Sequence, residues 1–257
     1  MTCDEGVARL RALATPANLA GMARFGITVD NALGISVPAM RKLAKECGHD
    51  TALAEELWAT GIHEARMMAG FIADPATVTE ALLERWLRDF DSWDICDEVC
   101  SDLVSYTPFA FDKCAEWSLR KEEYVKRAGF ALMAALAVHD KTHGDKPFLR
   151  FLGFIKRESG DDRNFVKKAV NWALRNIGKR NLILNAAAIK TAEDIRSINA
   201  RSARWIAADA LRELRSDAVQ ARLRARAASQ HPEPQSRGAD AAAKPSDLKR
   251  GAGHVCS

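Results

Sequence analysis

The sequence predicts an all-α chain of stacked antiparallel helix pairs. Three observations carry that expectation. Apolar residues recur at three- and four-residue spacing through most of the chain, as in Ala81-Leu82-Leu83-Glu84-Arg85-Trp86-Leu87 and Val166-Lys167-Lys168-Ala169-Val170-Asn171-Trp172-Ala173-Leu174. Neither an Asn-Gly or Asp-Gly hairpin nor a sustained alternation marks a strand. A short pattern, a basic residue just before a run of small and apolar ones, returns along the chain.

Taken in order, the helices announce themselves first by their starts. Thr15-Pro16 places a capping residue before proline at the first helical position, where a missing N–H does no harm. Ser36-Val37-Pro38, Asp74-Pro75 and Thr107-Pro108 read as three further starts of the same kind. The returning pattern is His63-Glu64-Ala65-Arg66-Met67, then Tyr124-Val125-Lys126-Arg127-Ala128, Phe165-Val166-Lys167-Lys168-Ala169 and Arg201-Ser202-Ala203-Arg204-Trp205. Trp93-Asp94-Ile95-Cys96-Asp97 fits between the first two if Asp97 takes the basic position. The anchors Arg66, Asp97, Arg127, Lys168 and Arg204 are then 31, 30, 41 and 36 residues apart. Irregular periods of this size suit HEAT-like solenoids, whose inner helices repeat their positions along one concave surface. The anchors are therefore expected to line a single basic groove. From about Ala225 the chain changes, with three of its eight prolines and no aromatic residue. Residues 1–224 are expected to form the helical domain and 225–257 a disordered tail.

Composition narrows the class. A chain of 257 residues, 47% hydrophobic and 28% charged, has the apolar content of a globular protein. Its longest unbroken apolar run, Ala128–Val138, is 11 residues, against roughly 20 for a membrane-spanning helix. The start, Met1-Thr2-Cys3-Asp4-Glu5, is acidic and lacks the basic and apolar regions of a signal peptide, so a cytoplasmic location is expected. Six scattered cysteines without a Cys-x-x-Cys pair read as small apolar residues. Cys96/Cys100 and His139/His143 share helix faces, but no partner pair at ligand spacing accompanies either, so no metal is expected. His63-Glu64-Ala65-Arg66-Met67 lacks the second histidine of a zinc-protease helix. No glycine-rich phosphate loop occurs, and no cofactor is expected.

The formal charge of +4 hides an asymmetry. Residues 1–130 carry a balance of −7 and residues 131–224 a balance of +9. A half this basic suggests a polyanion, most economically nucleic acid. Within the anchor row one member, Asp97, is acidic, and Trp93 lies one helical turn before it. The indole can stack on a base or hold a cation, and the carboxylate can stabilise developing positive charge. Spacing alone favours the plainer reading, an ion pair backed by a core tryptophan. Trp58, Trp86 and Trp117 read as core.

Across about residues 10–215 the sequence resembles the AlkD family of alkylpurine DNA glycosylases. Four motifs carry the likeness: Met22-Ala23-Arg24-Phe25 ahead of Leu33-Gly34-Ile35-Ser36-Val37-Pro38, then Trp93-Asp94-Ile95-Cys96-Asp97, Val125-Lys126-Arg127-Ala128, and Lys168-Ala169-Val170-Asn171-Trp172-Ala173-Leu174-Arg175. The resemblance implies that Asp97 is the catalytic carboxylate, that Trp93 and Trp172 are aromatic walls, and that Arg127 holds the DNA backbone near the lesion. It also implies that the lesion stays stacked, so no deep base pocket is expected. One position departs: the family pattern has tyrosine where this chain has Phe25, which keeps a stacking face and loses a phenolic hydrogen bond.

The expected activity is excision of N3- or N7-alkylated purines from double-stranded DNA. Such bases are cationic and leave readily, so the protein needs chiefly to stabilise an oxocarbenium-like sugar and align water, as glycosidase carboxylates do. Phe25, Arg66, Lys167, Lys168, Arg175, Lys179 and Arg204 are the candidate DNA contacts, with Arg180 and Arg201 beside them. A monomer is expected, because a capped solenoid buries its core unaided. The rival expectation is a HEAT-like DNA- or protein-binding module without turnover.

Overall fold

A computed structural model gives the fold, and it describes residues 1–230. Fourteen α-helices and two single 3₁₀ turns follow one another, with no strand among the described residues. The helices are α1 Cys3–Ala12, α2 Leu19–Arg24, α3 Val37–Cys47, α4 Thr51–Ala59, α5 His63–Ile72, α6 Glu80–Leu87, α7 Trp93–Asp102, α8 Ala110–Ser118, α9 Glu123–His139, α10 Asp145–Glu158, α11 Asn164–Gly178, α12 Leu182–Arg196, α13 Arg201–Leu214 and α14 Asp217–Gln230. Several begin at side-chain caps that satisfy otherwise unpaired N–H groups. Thr2 and Glu5 form a reciprocal capping box on α1. Asp50, Thr79 and Asn181 accept from Leu53, Leu82 and Leu184 at the starts of α4, α6 and α12.

The proline-marked starts fare unevenly. Ser36-Val37-Pro38 does open a helix, α3. Thr15-Pro16 opens only the 3₁₀ turn Pro16–Asn18. Asp74-Pro75 is a turn, because the Asp74 carboxylate and carbonyl accept from Ala76, Thr77 and Val78, and α6 waits for the Thr79 cap. Behind Thr107-Pro108, α8 begins two residues later than expected, at Ala110 after the N-cap residue Phe109.

Odd-numbered helices form one row: α3 packs on α5, α5 on α7, α7 on α9, α9 on α11 and α11 on α13. The outer helices α4, α8 and α12 pack against this row, and α10 packs on α8 and α12. At the centre, α9 is buried on nearly every side from Val125 to Ala137, which its all-apolar run requires. Trp58 and Trp86 stack in the core with ring centroids 4.3 Å apart, and Trp117, also buried, donates from its indole N–H to Glu84 at 2.9 Å. The five described cysteines are free, and the buried thiols of Cys96 and Cys100 face carbonyls of Tyr124 and Ala128.

The expected domain boundary at residue 224 falls inside α14, which runs on to Gln230. Arg222, Arg224 and Arg226 suit a helix as well as a tail, and composition did not separate the two. The rest of the expected tail, residues 231–257, lies outside the described residues. No described helix is long and apolar enough to cross a membrane.

Candidate functional site

The first 35 residues reach the site through three local devices. Glu64, fully buried on α5, accepts backbone N–H bonds from Leu33, Gly34 and Ile35 at 2.8, 2.7 and 3.2 Å, which pins the loop before α3. Its neighbour His63 is buried against Asp94, with Nε2 2.9 Å from Oδ2. Desolvation opposes charge on that imidazole, yet the Asp94 hydrogen bond and the charges of Asp94, Glu64 and Asp91 together outweigh it and raise the His63 pKa. These two residues therefore serve structure, and the described residues hold no cluster of three or more His, Cys, Asp or Glu placed to share a metal.

The start of α7 is stitched to the same segment. Thr28 donates its N–H to the Ser92 hydroxyl and its hydroxyl to the Asp91 carbonyl, both at 2.9 Å. Trp93 donates its indole N–H to the Phe25 carbonyl at 3.1 Å. Phe25 itself, 71% exposed, stands beside Trp93. Gly26 makes this approach possible: its φ is +77°, and a Cβ there would sit 2.7 Å from the Phe165 ring.

The result is a cleft of ≈ 220 Å³ lined by Phe25, Trp93, Arg127, Phe165 and Lys168. Three aromatic rings and two cations meet there from α2, α7, α9 and α11. Arg127 is buried and forms a two-pronged pair with Asp97, Nε to Oδ1 at 2.9 Å and Nη2 to Oδ2 at 2.7 Å. Its remaining nitrogen donates to the Phe165 carbonyl at 2.7 Å, and its guanidinium lies 5.9 Å from the Trp93 ring. The Asp97 side chain keeps 17% of its surface exposed. Burial pushes the Asp97 carboxyl up from the ordinary aspartate range, while Arg127 favours the ionised form. Burial likewise opposes charge on Arg127, but Asp97 outweighs it and raises the Arg127 pKa. Charge-assisted forks of this kind fix both partners.

The structure sorts the remaining candidates. Trp172 lies half-buried against the core, one turn beyond Lys168, and is not among the residues lining the cleft. Phe165 is there instead, a residue the sequence reading passed over. The signal was present: Trp93, Tyr124 and Phe165 stand at or within one residue of the first position of the repeated segment, so aromatic residues recur ahead of the anchors. Arg66 lies 3.9 Å from an Asp89 oxygen and 3.7 Å from one of Asp91, and donates to the Asp89 carbonyl at 3.1 Å. Arg175 pairs with Glu213 at 2.6 Å, Lys179 with Glu213 at 2.7 Å and Arg180 with Asp140 at 3.1 Å. Lys167, Lys168, Arg201 and Arg204 form no ion pair among the described residues. The anchors Arg66, Asp97, Arg127, Lys168 and Arg204 lie on successive helices of the row α5, α7, α9, α11 and α13. Asp97 and Arg127 bond each other across repeats, Lys168 faces the Trp93 cleft, and Arg204 lines the next cleft along.

The family model described as "DNA alkylation repair enzyme" matches residues 7–214. Among solved structures the chain is similar to one described as "A new family of proteins related to the HEAT-like repeat DNA glycosylases with affinity for branched DNA structures". That likeness has a TM-score of 0.69 at 23% identity and covers 83% of this chain and 96% of that one. At this identity it establishes the fold, a HEAT-like repeat of the DNA glycosylase type. No curated protein matches the chain by sequence.

Proposed function

Because the chain belongs to the DNA alkylation repair enzyme family, we propose that it is a monofunctional DNA glycosylase acting on N3- or N7-alkylated purines in duplex DNA. The observation that carries this reading is a partly exposed carboxylate, Asp97, paired with Arg127, which lines a cleft of aromatic rings and cations. Arg127 takes one direction on each Asp97 oxygen, and a carboxylate has about four acceptor directions in all. The others are available to face a sugar cation and to orient water. The alkylated purine brings its own positive charge, so the protein has little need of a general acid. Trp93 and Phe25 offer faces to a cationic nucleotide, a cation–π attraction of roughly 0.5–2 kcal/mol each. Lys167, Lys168, Arg201 and Arg204, having no carboxylate partner, serve as phosphate contacts. A cleft this small supports backbone gripping over a deep flipped-base pocket. No cofactor takes part in these steps. The product is an abasic site, and the working form is a monomer in the cytoplasm.

Lys168 in the cleft supplies the check on monofunctional action. A Schiff base to the abasic sugar would be trapped by borohydride, and trapping would overturn that part. The main test is release of free base from duplex DNA containing N7-methylguanine by this protein and by Asp97→Asn. Release by the parent and its loss in the variant support the reading. A second reading, a DNA-binding module without turnover, is favoured by the engagement of both Asp97 oxygens by Arg127. It would share affinity for branched DNA with the structural relative. Salt-dependent DNA binding without base release by either protein selects it.

A further inference from the structure

Between the first turns of α11 and α13 lies a second cleft, ≈ 540 Å³, lined by Asp162, Lys167, Arg201, Ser202, Arg204 and Trp205. The chemistry above assigns it no ligand beyond generic backbone contact. Trp205 is 42% exposed, whereas Trp58, Trp86 and Trp117 are buried. The Lys167 ammonium sits 5.7 Å from its ring centroid. Lys167, Arg201 and Arg204 face one carboxylate, Asp162, which is already engaged in accepting the Ser202 N–H at 3.0 Å.

Two further features point to an anion. The first turn of α13 has no side-chain cap from its own N-cap residue, Ala200, and it carries Arg201 and Arg204 at the end where the helix dipole is positive. Cations so placed are relieved by a bound anion, which the free N–H groups also attract. Independently, the Ser202 hydroxyl is buried without a hydrogen-bond partner, in a residue only 2% exposed. A buried orphan hydroxyl is unfavourable unless something enters to meet it.

We propose that this cleft holds an unpaired nucleotide of DNA. Its phosphate lies among Lys167, Arg201, Arg204 and the start of α13, within reach of the Ser202 hydroxyl, and its base stacks on Trp205. A free phosphate would leave the indole unused. A base-paired nucleotide has both faces covered by its neighbours, so an unpaired one is the form an exposed ring can take. Lys167 lines this cleft and Lys168 lines the Trp93 cleft, so a strand leaving one site reaches the other across the start of α11. The inference rests on the DNA-binding part of the proposed function and not on base release.

The test compares a blunt duplex with the same duplex carrying a three-nucleotide single-stranded overhang, at one salt concentration, using the full chain. The parent should prefer the overhang roughly tenfold, the scale of one base–aromatic stack. Trp205→Ala should bind both DNAs alike, Trp205→Phe should keep most of the preference, and all three should bind blunt duplex equally. Ser202→Ala should fold normally, having no hydrogen bond to lose, and weaken only overhang binding. A parent without preference, or a Trp205→Ala variant that keeps it, overturns the proposal. So does a variant that loses blunt and overhang binding together. The glycosylase reading stands or falls separately, on free-base release by the parent and Asp97→Asn.

Discussion

Both ends of α11 are basic, yet only one leaves its cations unpaired. At the C-terminal end Arg175 and Lys179 reach Glu213 on α13, while Arg180 pairs with Asp140 and donates to the carbonyls of Ala137 and Asp140. Cations there complement the helix dipole and satisfy carbonyls at the end of α9. At the N-terminal end Lys167 and Lys168 have neither advantage. They sit near the positive end of the dipole, without carboxylate partners, on the two clefts. Under the proposed function, net charge points to the half of the chain that would meet a polyanion, and ion pairing points to the face.

The sharpest way to break this contrast is at the carboxylate on the cleft side. Asp97→Asn should lower free-base release about 10²–10³-fold, the loss seen when one group aimed at developing charge is removed. A smaller loss than tenfold in single-turnover assays would move the chemistry elsewhere. Arg127→Ala strands a largely buried carboxylate, and chemical denaturation should show a loss of about 3–5 kcal/mol. A stability change below 1 kcal/mol would mean that the pair is not held as described.

Smaller effects refine the comparison. Removing Lys168 or Arg204 should reduce the slope of log affinity against log salt by about 1 each. Arg175→Ala with Lys179→Ala should leave that slope unchanged, and an equal fall in both sets would erase the distinction between the two ends of α11. Gly26→Ala should cost about 1–2 kcal/mol for its left-handed backbone, before any clash with Phe165. Last, in the proposed mechanism the active form is the Asp97 carboxylate, and burial raises its pKa. Base release should therefore fall as pH drops through that raised value, above the ordinary aspartate range, and the fall should be absent from residual activity in Asp97→Asn.

Much of the fold was legible because helical periodicity is local. The motif around Trp93 and Asp97 was legible too, since four residues on a helix fix a shared face. What escaped was pairing between repeats. Arg175 and Lys179 look like free cations in the sequence, because their partner Glu213 lies one repeat further along. Arg66 is silenced in the same way by Asp89 and Asp91 from the loop before α7. Phe165 was hidden for the opposite reason: at the start of a helix it reads as one more apolar residue, and its role depends on Gly26 lying against it. Trp172 satisfies both its motif and the core, and only the packing shows which side claims the ring.

The contact between Gly26 and Phe165 joins positions about 140 residues apart in the chain. Trp93, Asp97 and Arg127 are all synthesised before that contact can close. A nascent chain, or a fragment ending before α11, thus contains the carboxylate and its arginine but no finished cleft. The geometry makes the site a late event in folding, and makes its integrity a report on both ends of the repeat array at once.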